Sequence, residues 1–240
     1  MRLASLISGS GSTMARTLQA VKSGELLGAE MALVIASKST VGGIEKARLG
    51  GLAQEQIVVI NPRDFPHPDS FGQSILDHCR EHSIDLILQQ GWLPLTPEKV
   101  IKSYSGMIIN QHPGALDPGN LWDFGGKHMH GRAVHCAHIL FAKLTNSNWF
   151  TEATVHYVDP EFDKGSVIGR VPIKIDPKDD PLSLAEKLLP VEHALQIKVI
   201  RSFVEGKVEV LKRQKPLIKF DYFPQIKQAK YLAHLVFPNG

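Results

Sequence analysis

"LASLISGSGSTMARTLQAVKS", Leu3–Ser23, decides how the chain is read. An apolar run, Leu3–Ser8, breaks into a Gly/Ser loop and passes at once into a helix-compatible segment, Met14–Ser23. A strand that feeds a helix through so short a join is the first half of a βαβ unit. The same alternation continues outward. Strand candidates follow at Met31–Ser37, Gln56–Asn61, Ile84–Gln90 and Met107–His112, with helix candidates between them at Val41–Leu49, Pro68–His82 and Thr96–Ser103. The strands are continuously apolar rather than alternating, as in a parallel sheet covered on both faces. Beyond them the pattern predicts a helix over Lys127–Leu144, strands in "TEATVHYVD" and "SVIGRVPIKI", a long helix over Ser183–Glu205 and an edge strand in "KVEVL". From Lys212 the chain turns basic, aromatic and Pro-interrupted, and reads as a tail that packs on the domain or on a partner. The expected organisation is one α/β domain over 1–211 and a tail over 212–240.

The 240 residues are enough to bury a sizeable core. The net charge of +3 comes without a basic block, so neither nucleic acid nor a membrane surface is expected as a partner. The apolar runs fall far short of the roughly 20 residues needed to span a bilayer, and the N-terminus breaks into Gly/Ser too early for a secretory signal. A cytoplasmic protein is expected. Cys79 and Cys136 have no CxxC spacing and read as buried small hydrophobes.

Three stretches carry candidate chemistry. In "ISGSGSTM", Gly11, Ser12 and Thr13 stand between strand and helix, where backbone N–H groups and a helix N-terminus suit an anion. Met14 occupies the place of the third glycine of a dinucleotide fingerprint, and no Gly-Lys-Ser/Thr is present, so a small phosphate is the better ligand. A plain turn capped by Ser12 or Thr13 would use the same residues. In "MIINQHPGALDPG", Asn110 and His112 are two apart on a strand and so face the same side, and Pro113 keeps His112 extended. Parallel strands end on one edge, which brings the Gly/Ser loop, the "GWLP" turn and this pair to a common rim. Taken alone, either residue could be structural. In "HYVDPEFDKGSVI", Asp159 and Asp163 lie in the connection between two strands. Alone, that turn reads as ordinary solvated acid.

In combination, "SGSGST", "INQHPGALDPG", "GKHMHG", "VHYVDPEFDKGSVI" and "EHA" (Glu192–Ala194) resemble the folate-dependent formyltransferases, in the same order and at similar spacing over Met1–Leu211. Within that family the similarity is greatest to members acting on glycinamide ribonucleotide in purine synthesis. The resemblance implies a Rossmann-like, doubly wound, mostly parallel sheet with a C-terminal extension. It implies Asn110, His112 and Asp163 as the catalytic trio, Gly11, Ser12 and Thr13 as the phosphate loop, and Glu192 as the residue holding ribose hydroxyls. The turn Gly91, Trp92, Leu93, Pro94 and Leu95, with the segment from Val158 to Asp163, would wall the folate pocket. The formyl donor would be 10-formyltetrahydrofolate and the other substrate a phosphorylated amine, with no metal. A homodimer, a different amine acceptor such as an amino-sugar nucleotide, and a non-catalytic binding protein on the same fold all stay open.

The chain departs from the family's pattern in several places. Thr13 stands where Asn is usual, and Leu93-Pro94 and Pro68 stand where Arg is common. "DKGS" replaces "DGGP", and "NLWDFGG" lengthens the stretch between His112 and Asp163. That stretch also packs His128, His130, His135, Cys136 and His138 into eleven residues. Only His135 and His138 have the i, i+3 spacing that shares a helix face, so a metal site is not expected: these two read as core or solvated histidines, and the resemblance implies that His128-x-His130 matches a similar pair after the family's loop, packed near the active site.

Overall fold

A computed structural model describes all residues from 1 to 240. Seven strands form one sheet in the order β3-β2-β1-β4-β5-β6-β7. Three of its first five, β1 (Arg2–Ile7), β2 (Glu30–Ala36) and β4 (Leu86–Gln89), are apolar over most of their length, while β5 (Ile108–His112) starts with two isoleucines and ends in three polar residues. The fifth, β3 (Ile57–Val59), is a short edge strand. All pairings among these five are parallel. Leu3, Leu6, Leu33, Ile35, Leu86 and Leu88 are fully buried, which is the environment a two-sided parallel sheet gives its strands. The order places β1 beside β4, the crossover point at which ligands of open α/β sheets bind beyond the carboxyl ends.

Two compact units divide the chain. One comprises 1–110 with 196–207, the other 111–195 with 208–240. In the first, α1 (Ser12–Lys22), α2 (Gly43–Leu49), α3 (Pro68–Glu81) and α4 (Glu98–Ser103) connect the parallel strands. Gly11 precedes α1 with φ 66°, and a Cβ there would lie 2.6 Å from the Gly43 Cα. This glycine is therefore needed for the turn and for the close approach of α2. In the second unit, β6 (Phe150–Tyr157) and β7 (Val167–Lys174) are antiparallel to each other, joined by the turn that carries Asp163. The 24-residue α6 (Pro181–Val204) runs on from this unit into the first. No helix is long and apolar enough to cross a membrane.

Three expectations are corrected. α5 spans Arg132–Thr145 and starts five residues later than the pattern suggests. His128 and Gly131 take φ values of 69° and 54°, which a right-handed helix cannot include. "KVEVL" forms no strand: Leu211 N–H donates to the Val167 carbonyl, but no ladder follows. The tail is not patternless, since it holds a 14-residue helix, α7 (Phe223–Val236). Ile226, Ala229 and Ala233 form a buried stripe on it and pack in one apolar cluster with Ala137 and Phe141 of α5. Exposed Tyr231, Leu235 and Val236 blur that stripe in the sequence.

Candidate active site

The Gly/Ser loop is anchored by residues that sequence reasoning passed over. Ser8 N–H donates to the Gly91 carbonyl at 2.9 Å. Its hydroxyl oxygen accepts from Leu93 N–H at 3.0 Å and from the Ser37 hydroxyl at 2.8 Å. The loop after β1 and the turn after β4 are thus joined at the crossover point. Beneath them the buried Gln90 accepts from Ser5 Oγ at 2.7 Å and donates to Thr17 Oγ1 at 2.8 Å, while Thr17 donates to the Thr13 carbonyl at 2.9 Å. A buried amide in an apolar sheet is costly unless both ends are satisfied, so this chain fixes the first turn of α1. The signal available in the sequence is a polar residue closing an otherwise apolar strand.

Neither Ser12 nor Thr13 caps α1: Gly11 is the cap residue and no side chain bonds the first turn. Gly11, Ser12 and Thr13 consequently frame a helix N-terminus whose N–H groups suit an oxyanion. In the turn, Gly91 takes φ 82° and precedes a buried Trp92, which stacks on Phe71 at 6.2 Å. The indole Nε1 has no hydrogen-bond partner. Leu93 and Leu95, at 50% and 52% exposure, offer the apolar surface here, and Pro94 between them adds no charge.

In the second unit His112 closes β5 and is 3% exposed. Its Nε2 lies 3.0 Å from the Phe124 carbonyl, and because a carbonyl can only accept, Nε2 carries the proton. Nδ1 then faces Asp163 Oδ2 at 3.6 Å. The other carboxylate oxygen faces His156 Nε2 at 3.4 Å. His156 Nδ1 donates to the Tyr157 carbonyl at 2.7 Å. Gly126 N–H donates to Asp163 Oδ2 at 2.8 Å.

Burial opposes the charge on His112 and holds its imidazole below its ordinary value, against the pull of Asp163. Burial alone would raise Asp163, yet His112, His156 and the Gly126 N–H outweigh it and hold the carboxyl well below the usual range. The result is an ionised carboxylate beside a neutral imidazole, an arrangement ready to stabilise a proton gained by the ring. His156, Phe124 and Gly126 were not picked out from sequence. Asn110 is two residues before His112 on β5 and pairs in register with Gln89 of β4. Strand alternation turns Asn110 to the same face as His112. Val158 is half-buried just beyond β6.

Gln111 faces the other way and donates from Nε2 to Glu192 Oε1 at 2.9 Å. Burial pushes the Glu192 carboxyl up to about 7, against the lowering effect of that bond. An acid raised in the folded state costs stability once it ionises. The cost is absent below the unfolded value near 4.5, grows as pH rises towards 7, and amounts to about 3 kcal/mol above it. Glu192→Gln mimics the protonated form. It should raise Tm relative to the parent by several degrees at pH 8 and by little at pH 4.5, measured by calorimetry at both values. An equal change at both would reject the ionised, buried carboxyl.

The histidine-rich stretch resolves into packing. His135 and His138 are buried, and His138 stacks on Phe124 at 3.4 Å while accepting from Ala115 N–H at 3.2 Å. His128 stacks on His234 of α7 at 4.3 Å. No three His, Cys, Asp or Glu side chains come together as a metal site.

Comparison with known proteins identifies the family. Residues 1–200 match the Formyl transferase family. The chain belongs to that family. It is 28% identical to the chloroplastic phosphoribosylglycinamide formyltransferase of Arabidopsis thaliana over 91% of this chain and 70% of the relative. Against the phosphoribosylglycinamide formyltransferase of Escherichia coli, identity is 24% over 88% and 90% of the two chains. Among solved structures, glycinamide ribonucleotide transformylase 1 from Geobacillus kaustophilus superposes with a TM-score of 0.71 at 31% identity, covering 85% of this chain and 98% of that one. The seven-stranded, mostly parallel sheet is this family's Rossmann-like fold.

Proposed function

We propose that this chain transfers the formyl group of 10-formyltetrahydrofolate to the primary amine of glycinamide ribonucleotide, a step of purine synthesis. The observation that carries the proposal is the His112–Asp163 pair, buried and pre-oriented at the end of β5, two residues after Asn110. The names of the family relatives support the choice of acceptor, and the uncapped N-terminus of α1 supports a phosphate on it.

The amine nitrogen attacks the formyl carbon, and negative charge develops on the formyl oxygen. The Asn110 amide is the donor proposed for that oxygen. His112, with its proton already on Nε2, has Nδ1 free of protein protons to accept one from the attacking amine, and Asp163 balances the imidazolium that forms. Collapse breaks the bond from the formyl carbon to N10 of the folate, and N10 takes up a proton, so one proton moves in total from amine to folate. Glu192 is assigned to ribose hydroxyls. Leu93 and Leu95 are assigned to the folate.

The deciding experiment incubates the protein with 10-formyltetrahydrofolate and a panel of amines, and follows the deformylated folate by absorbance. Turnover with glycinamide ribonucleotide supports the proposal. Turnover with only an amino-sugar nucleotide, or with water, would reassign the acceptor. Thr13→Ala removes one hydroxyl donor from the loop and should raise KM for the phosphorylated amine roughly tenfold, with the folate KM unchanged. Equal changes in both would refute a phosphate at this loop.

A further inference from the structure

Two segments that depart from the family's pattern, the inserted "NLWDFGG" and the tail beyond residue 211, meet at the His112–Asp163 pair. Two residues of the insert, Phe124 and Gly126, hold it, and the Gly125 between them is tied back to Asp123. The Phe124 carbonyl accepts from His112 Nε2, Gly125 N–H donates to Asp123 Oδ1 at 3.0 Å, and Gly126 N–H donates to Asp163 Oδ2. A Cβ at Gly125 would lie 2.7 Å from the Asp163 Cβ, so the segment passes directly against the carboxylate residue. From α7, Lys230 Nζ donates to the Asp123 carbonyl at 3.0 Å and to the Gly125 carbonyl at 2.5 Å. The tail also grips the start of the same loop: Arg213 Nε donates to the Leu116 carbonyl at 3.1 Å and Leu217 N–H to Asp117 Oδ2 at 2.8 Å.

We infer that Lys230 is a positioning residue for the reaction: by binding the Asp123 and Gly125 carbonyls it locks residues 123–126, and these fix the protonated nitrogen of His112 and one oxygen of Asp163. The inference rests on the reading of His112 and Asp163 as the catalytic pair. Burial holds the half-buried ammonium below its ordinary value, while the carboxylates of Asp123 and Asp163 work the other way. Its helix is held by Ile226 one turn back, by the adjacent Ala229 and by Ala233 one turn on, all fully buried, which leaves the lysine stem little freedom. Freed from Lys230, the Phe124 carbonyl no longer selects one tautomer, and the ring can present the wrong nitrogen to the substrate. The groups facing His112 are Asp163 and His156 from the β6–β7 hairpin, Asp123 from the insert, and His135 and His138 from α5. None of these replaces a carbonyl acceptor at Nε2.

The test uses the full-length protein carrying Lys230→Met, with Lys227→Met, an exposed lysine on the same helix, as control. The ring nitrogens of His112 are followed by 15N NMR, which needs no substrate, and kcat and KM are measured with the proposed donor and acceptor. In the parent and in Lys227→Met the ring should show a single Nε2-protonated tautomer. In Lys230→Met the two tautomers should average, with kcat lowered roughly tenfold and both KM values within about twofold of the parent. Parental ring signals and kcat in a folded Lys230→Met would overturn the inference. Should that variant not fold, the parent decides: a tautomer fixed on Nε2 supports the lock, and a ring that exchanges between tautomers overturns it. If the parent formylates none of the amines, the proposed reaction fails while the tautomer result stands on its own.

Discussion

Asp163→Asn is expected to lower kcat by roughly 10²- to 10⁴-fold, the range typical of lost acid-base assistance, and His112→Ala by at least as much. The two substitutions should differ in their other effects. Asparagine keeps the shape of Asp163 and can still accept from Gly126 N–H, but it no longer balances an imidazolium at His112, 3.6 Å away. KM values should therefore change little in Asp163→Asn, and the pH above which the charged ring is lost should fall. His112→Ala also removes a ring that is 3% exposed and leaves the Phe124 carbonyl without its donor. A cost of about 1–3 kcal/mol, or several degrees in Tm, follows from the unpaired acceptor. A residue at the rim of a sheet would be expected to add little to the core; here the 120–126 insert covers the ring, and that expectation is corrected. Near-parental kcat at pH 7.5 in Asp163→Asn would remove the pair from the mechanism.

The acid side of the same pair has a definite sign. The Asp163 carboxyl lies below its unfolded value, so its contribution to stability is present above about pH 4 and lost as pH falls through the folded value. Glu192 acts in the opposite sense, costing stability only as pH rises towards 7. The two acids of this unit therefore limit stability from opposite ends of the pH range.

The parallel half of the sheet was legible because each strand is a continuous apolar run bounded by Gly, Pro or polar residues, and that signal survives without knowledge of contacts. Asn110 and His112 were legible for a related reason, since two positions on one strand need only backbone alternation to be placed together. His156, Phe124, Gly126 and Lys230 were not. Their roles rest on contacts across 7 to 107 positions in sequence, and two of them act through backbone atoms that carry no residue signature. α7 was hidden because apolar residues stand on its exposed side as well as its buried one. Gln111 lies in β5 and Gln90 just beyond the end of β4, polar positions that from sequence alone look solvent-facing; each instead bonds a specific buried partner.

Gly165→Ala tests how the Asp163 turn is built, and its effect on folding should be the largest of any single methyl added to this unit. A Cβ at Gly165 would lie 1.7 Å from the Tyr157 carbonyl oxygen and 2.6 Å from its carbon, both backbone atoms of β6 that cannot move aside as a side-chain tip would. Tyr157 N–H is also engaged, donating to the Ser166 carbonyl at 3.0 Å, so relief of the clash must open the end of the β6–β7 hairpin. That end carries His156 and leads directly into Asp163, whose own φ of 59° already lies in the left-handed region. Opening it draws the carboxylate away from both His112 and His156. We expect a loss on the order of 3 kcal/mol or more, a fall in Tm of roughly 10 °C, and loss of turnover in whatever protein stays folded. Lys164→Ala is the matched control, because its neighbour Gly165, and not the lysine, sets the path of the turn; it should melt within about 2 °C of the parent. Thermal melts and turnover of the two variants decide the matter: a Gly165→Ala protein as stable and as active as Lys164→Ala would show that the hairpin can place Asp163 without this close approach.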